Sequence, residues 1–118
     1  MEELSVDIYH NPRCSKSRET LELLISKGIE PSIIEYLKEP PDEIELRQLL
    51  DLLGIPARDL LRTGEDAYKE RGLQDPEVSE DDIIAAILKH PILMERPIVV
   101  TNGRAKLGRP PEAVLEIL

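Results

Sequence analysis

Segments with the pattern of β-strands lie near the two ends of the chain, separated by a long helical block, and this arrangement restricts the possible folds most. Residues 5–9 (SVDIY) alternate apolar and polar side chains, and residues 31–37 (PSIIEYL) are rich in β-branched ones. Between these predicted strands, residues 15–27 carry apolar side chains at helical spacing and precede Gly28, which suits a helix C-terminus. The beginning of the chain therefore predicts the order β-α-β.

The middle of the chain, from about residue 42 to residue 91, predicts helices only. Asp42 follows two prolines and suits a helix N-cap, and the apolar stripe behind it ends at Gly54. Residues 57–61 predict a short helix, and Ser79 suits the N-cap of a further one. We interpret this block as a helical insertion.

The end of the chain returns to strands. Residues 97–101 (PIVVT) have the composition of a strand that is buried on both faces. Asn102-Gly103 predicts a hairpin turn that pairs this strand with residues 104–108. Pro110 suits the first position of a closing helix that runs to the C-terminus.

The complete order, β-α-β, helical insertion, β-β-α, predicts an α/β fold. We expect a single domain over residues 1–118, with the insertion at about 42–91 between the second and third strands. The sequence contains no Phe and no Trp. We therefore expect a core built from Leu, Ile and Val.

Charge and cysteine content exclude several classes of protein. The 15 basic and 24 acidic residues give a net charge of −9, which argues against binding to nucleic acid or to an anionic membrane. Cys14 is the single cysteine, and with His10 and His90 it cannot supply a four-ligand structural zinc site, so we expect no metal. We find no signal peptide and no apolar run of membrane-spanning length, and we expect a cytoplasmic monomer.

Cys14 lies where the loop after the first predicted strand ends and the first helix begins. A redox cysteine has this place in the order of strands and helices that is typical of thioredoxin. The segment 14–17 (CSKS) keeps only the first cysteine of a CxxC motif, and Ser17 stands in the place of the second. Backbone N–H groups at a helix N-terminus stabilise a thiolate, so the pKa of Cys14 should be lowered. A buried, inert cysteine is disfavoured by this polar loop. Without a partner cysteine, an adduct on Cys14 must be resolved by an outside thiol.

Tyrosine and low-molecular-weight phosphatases also place a cysteine and backbone donors around an oxyanion. Their chemistry requires an arginine six residues after the cysteine, where this chain has Thr20. The glycine-rich phosphate loop GxxxxGK is absent as well. These departures argue against a phosphatase.

Five segments, in the same order, resemble glutaredoxin-dependent arsenate reductases. The resemblance extends from near residue 5 to the end of the chain, and it is to a shorter branch of that family. The segments are 9–18 (YHNPRCSKSR), 60–62 (LLR), 90–93 (HPIL), 95–100 (ERPIVV) and 108–111 (GRPP).

The resemblance implies a thioredoxin-like fold with a helical insertion, and the reduction of arsenate or a similar oxyanion. It implies that Cys14 is the nucleophile, that His10 acts beside it in catalysis, and that Pro97 is a cis-proline before the third strand. No bound cofactor is implied, because glutathione and glutaredoxin are the external reductants and partners. The oxyanion-binding residues implied are Arg62, Arg96 and Arg109.

The chemistry of these arginines agrees with that role. A planar guanidinium can donate two hydrogen bonds to a tetrahedral oxyanion, whereas lysine acts as a point charge. Arg96 and Arg109 each precede a proline, which fixes the direction of the backbone. Two alternatives stay open: a general monothiol enzyme for thiol-disulfide exchange or deglutathionylation, and a transcription-regulating relative of the same fold that binds RNA polymerase.

Overall fold

Four short strands form a mixed sheet in the order β2-β1-β3-β4. The computed structural model describes residues 5–118. In it, β1 pairs in parallel with β2 and antiparallel with β3, and β3 pairs antiparallel with β4. The predicted α/β, thioredoxin-like order is confirmed. The strands are β1 (Val6–Tyr9), β2 (Ser32–Ile34), β3 (Ile98–Thr101) and β4 (Arg104–Leu107).

The chain divides into two compact units. The first, residues 5–39 and 96–118, holds all four strands, and we call it the sheet unit. It also contains helix α1 (Ser15–Ser26) and a closing 3-10 helix (Pro111–Ile117), which pack against each other. Its core is mainly aliphatic, as the absence of Phe and Trp predicts, and also buries Tyr9 and Tyr36. The buried cluster comprises Val6, Ile8, Leu24, Val99, Val114 and Ile117.

The second unit, residues 40–95, is helical, and we call it the helical unit. The predicted caps are confirmed: Asp42 Oδ1 accepts from the N–H of Glu45 at 2.8 Å, and Ser79 Oγ accepts from the N–H of Asp82 at 3.1 Å. Nowhere in residues 5–118 is there a helix long and apolar enough to cross a membrane. The elements of the unit are α2 (Glu43–Leu53), α3 (Asp66–Glu70), α4 (Glu80–Lys89) and two 3-10 turns (Ala57–Leu60 and Pro91–Leu93).

The Asn102-Gly103 hairpin forms as predicted. Both residues have positive φ, 54° at Asn102 and 68° at Gly103. A two-residue turn with positive φ at both positions matches the right-handed twist of the paired strands. This turn aligns β4 so that Leu107 pairs with Ile98, next to the loop that follows β4.

Three details of the sequence prediction were wrong. The second strand ends at Ile34, because residues 35–39 turn instead, with the N–H groups of Lys38 and Glu39 both bonded to the Glu35 carbonyl. The closing helix is a 3-10 helix that starts one residue later than predicted. Pro110 is extended because the proline after it disfavours helical backbone in the preceding residue. Helix α3 lies in the block predicted to be helical, but it was not assigned as a separate helix.

Candidate active site

Cys14 occupies the N-cap position of α1, just after the loop that leaves β1. Its N–H donates to the carbonyl of Asn11 at 3.0 Å, which closes the loop. As the N-cap, Cys14 offers the first amides of the helix a sulfur and not the side-chain oxygen that usually caps a helix. The backbone N–H groups of Ser17 and Lys16 donate to the half-buried Cys14 sulfur. The free end of the helix is therefore directed at the thiol.

Opposing effects act on the pKa of Cys14. Burial raises it, but the N–H of Ser17, the guanidinium of Arg96 and the N–H of Lys16 together outweigh burial. The pKa consequently lies below the ordinary value for a thiol, as predicted from the helix N-terminus. A larger fraction of Cys14 is thiolate at neutral pH than in an unfolded chain.

The pH dependence of alkylation tests this pKa. A thiol reacts slowly below its pKa and at full rate above it. We therefore expect the rate of Cys14 alkylation by neutral iodoacetamide to rise with pH, with its midpoint below that of the urea-unfolded chain. Replacement Arg96→Gln should move the midpoint upward. Equal midpoints for the folded and unfolded chain would show that the fold does not stabilise the thiolate.

Two arginines, one from the segment before β3 and one from the loop after β4, face the same sulfur. Arg109 Nη2 lies 3.5 Å from Cys14 Sγ, and Arg109 Nε donates to the carbonyl of Arg96 at 2.8 Å. Arg96 is only 8% exposed, and its side chain forms a hydrogen bond to Cys14. The peptide bonds Arg96–Pro97 and Arg109–Pro110 are both cis. A thiolate and two guanidinium groups thus meet at one point.

His10 is buried, and its ring contacts Ser17. Nδ1 of His10 lies 2.6 Å from Ser17 Oγ, which also accepts from the N–H of Asn11 at 3.0 Å. Burial lowers the pKa of His10, Glu35 opposes this effect, and Arg18 adds to it. The net decrease favours the neutral ring at neutral pH.

Ser17 is the residue that sequence reasoning missed. The sequence analysis interpreted it only as the substitute for a second cysteine, yet it is fully buried. Its hydroxyl contacts His10 and Asn11, and its backbone N–H contacts Cys14. The signal for this role was its position as the third residue of α1, where side chains often bond back to the backbone before the helix.

Arg62 belongs to the helical unit, whereas Cys14, His10, Arg96, Pro97 and Arg109 belong to the sheet unit. Its Nε lies 3.3 Å from Glu65 Oε2, and its Nη1 is paired with Glu95. Burial lowers the pKa of Arg62, but Glu95 and Glu65 raise it more, so the guanidinium stays charged. An anion at this guanidinium has to compete with two carboxylates.

Comparisons with known proteins agree with this geometry. The chain matches the ArsC family over residues 9–117. It is 58% identical over 114 residues to the protein YfgD of Escherichia coli (strain K12), covering 96% of each chain. It is 49% identical over 116 residues to an arsenate reductase of Haemophilus influenzae, covering 98% of this chain and 100% of the relative. A solved arsenate reductase structure from Vibrio cholerae superimposes with a TM-score of 0.96 at 53% identity, covering 99% and 100% of the two chains.

Proposed function

The chain belongs to the ArsC family, and we propose that it reduces arsenate to arsenite through a covalent adduct on Cys14, resolved by glutathione and glutaredoxin. Relatives named arsenate reductase match it over nearly its full length, which supports arsenate as the oxyanion. The single observation that carries the proposal is the meeting of a stabilised thiolate with Arg96 and Arg109.

The first chemical step is attack of the Cys14 thiolate on arsenic, in which one arsenate hydroxyl takes up a proton from solvent and leaves as water. Arg96 and Arg109 compensate the charge of the bound oxyanion and of the transition state. His10 acts as a positioning residue, because its contact with Cys14 passes through Ser17. Arg62 is the third arginine implied by the family resemblance, and its part in the reaction stays a prediction.

The second and third steps need thiols from outside the chain. Glutathione displaces a further oxygen of the adduct, forming an arsenic–sulfur bond and releasing water. A glutaredoxin thiolate then attacks the glutathione sulfur and forms a glutaredoxin–glutathione mixed disulfide, and the electron pair of the broken arsenic–sulfur bond stays on arsenic and reduces As(V) to As(III). Hydrolysis releases arsenite and regenerates Cys14. This dependence on reduced thiols supports the cytoplasm as the compartment in which the protein acts.

The arginines also bear on the two alternatives. A monothiol enzyme for thiol-disulfide exchange needs a lowered cysteine pKa, to which the N–H groups of Ser17 and Lys16 already contribute, and does not require two guanidinium groups beside the sulfur. A polymerase-binding regulator needs neither feature. The contact of 3.5 Å between Arg109 Nη2 and Cys14 Sγ therefore favours oxyanion chemistry over both.

Turnover should depend on added thiol. We expect arsenite to form when the protein, arsenate, glutathione and glutaredoxin are combined, and none to form when either thiol is left out, because one cysteine supplies too few electrons to reduce arsenate and regenerate itself. Arsenite is measured by chromatography coupled to elemental detection. Sustained arsenite production without thiols would contradict the mechanism. Turnover of a glutathione mixed disulfide, with none of arsenate, would support the monothiol alternative.

A further inference from the structure

Gly108, immediately before Arg109, is in tighter surroundings than the other five glycines. A Cβ atom at Gly108 would lie 2.5 Å from Thr20 Oγ1 and 2.7 Å from Pro97 Cγ, whereas at the others it would meet nothing within 4 Å. Favourable contacts between carbon atoms need about 3.5 to 4.0 Å. Gly108 therefore has no space for any side chain, and the reason is the close approach of neighbouring elements.

The backbone at Gly108 is bound on both sides. Its N–H donates to the carbonyl of Pro97 at 2.9 Å, which ties the loop after β4 to the segment before β3. On the other side it rests on Thr20, a fully buried residue of α1 whose Oγ1 donates to the carbonyl of Lys16 at 2.8 Å. The loop is thus seated on the helix that begins at Cys14.

This seating matters because the side chain of Arg109 is not held by burial. Residue 109 is exposed, and its side chain contacts the Arg96 carbonyl and Cys14 Sγ. The place of an exposed side chain depends on where its backbone starts. We infer that Gly108, by packing on Thr20 and Pro97, is a positioning residue that holds the Arg109 guanidinium at the Cys14 sulfur. The consequence for arsenate rests on the proposed function.

The substitution Gly108→Ala tests this inference with a readout that needs no arsenate. Iodoacetate and iodoacetamide react with the same thiolate, so the pKa of Cys14 cancels in the ratio of the iodoacetate rate to the iodoacetamide rate. Because only iodoacetate is negatively charged, this ratio reports cationic groups near the sulfur. We expect Gly108→Ala to lower this ratio several-fold toward that of Arg109→Ala. We also expect kcat/KM for arsenate to fall about a hundredfold, the effect typical of a displacement of about 1 Å in an active site.

Gly103→Ala is the matched control. Gly103 has a φ of 68°, so alanine strains the hairpin turn and lowers the melting temperature, but its Cβ meets nothing within 4 Å. We expect a wild-type rate ratio for this variant despite its lower stability. A Gly108→Ala protein that is folded and keeps the wild-type ratio would overturn the inference. If Gly108→Ala lowers the ratio but the wild-type protein makes no arsenite, the proposed function is refuted and the positioning role stands.

A second variant approaches the contact from the helix. Thr20→Ala removes the hydroxyl and methyl groups on which Gly108 rests, so we expect it to lower the iodoacetate to iodoacetamide ratio even where Gly108→Ala does not fold. In the double variant the new methyl group no longer meets Thr20 Oγ1 or Cγ2, and part of the ratio lost in Gly108→Ala should return. A wild-type ratio in Thr20→Ala would show that this contact does not place Arg109.

Discussion

Replacement of Cys14 by serine is expected to reduce arsenate turnover to background, a loss of more than about a thousandfold. The chain has one cysteine, so no other side chain can form the adduct. A serine hydroxyl is not ionised by the backbone N–H groups and Arg96, which act on the thiol of the native protein. The assay is arsenite formation with glutathione and glutaredoxin supplied. Retained turnover in the serine variant would remove Cys14 from the mechanism.

The same substitution should leave the fold intact and make it slightly more stable. Cys14 is the N-cap of α1, and its sulfur is a weaker acceptor for the N–H groups of Ser17 and Lys16 than a side-chain oxygen would be. Serine is among the preferred N-cap residues, and such a cap contributes about 1 kcal/mol, or a few degrees in melting temperature. Cys14→Ala is the matched control, since it is equally inactive but cannot cap. A serine variant that melts below the alanine variant would contradict this account of the helix end.

Replacement of Arg96 or Arg109 by lysine is expected to lower kcat/KM for arsenate on the order of a hundredfold each. Lysine keeps the charge but loses the paired donors of the guanidinium, and one donor to a developing charge contributes about 3 kcal/mol. Arg104→Lys is the matched control in the sheet unit, because Arg104 is exposed at the start of β4. We expect it to retain wild-type kinetics.

Thermal melts separate catalysis from stability in these variants. Arg109 is exposed, so Arg109→Lys should change stability by no more than about 0.5 kcal/mol. Arg96 is 8% exposed, and a lysine there should also cost about 1 kcal/mol of stability. Wild-type kcat/KM in both variants would mean that the anion binds elsewhere.

Arg62→Lys tests the third predicted arginine in the same assay. The control is Arg47→Lys, because Arg47 is also in the helical unit and also pairs with two carboxylates, those of Glu43 and Asp81. If Arg62 binds the oxyanion, only its variant loses activity. Equal kinetics for the two variants would restrict the anion site to Arg96 and Arg109.

Features fixed by a few neighbouring residues could be predicted from the sequence. The Asn102-Gly103 turn and the Asp42 and Ser79 caps formed as expected, because each depends on backbone angles or donors within three residues. Helix α3 was missed because its five residues include none that is buried, so they give no periodic signal. The position of Pro110 was wrong because the rule for a helix-starting proline competed with the effect of the proline after it.

The site divides in a similar way. The place of Cys14 at a helix start and the lowering of its pKa followed from local sequence. The contacts of Ser17 with His10 and of Gly108 with Thr20 could not be predicted, because tertiary packing brings these side chains and backbones together. A serine three residues after a cysteine and a glycine before an arginine carry no sign of their partners. The roles of the arginines stay predictions until the substitutions are made.

The pairing of β1 has a consequence for how the chain is made and folded. One neighbour of β1 is β2, which follows it closely in the sequence. Its other neighbour is β3, so Val6 pairs with Thr101 near the opposite end of the chain. Pairing over such a distance gives the sheet a high contact order, which slows folding. During synthesis, which proceeds from the N-terminus, Cys14 leaves the ribosome long before Arg96 and Arg109. A nascent or truncated chain therefore exposes the thiol before the cations that direct its chemistry exist.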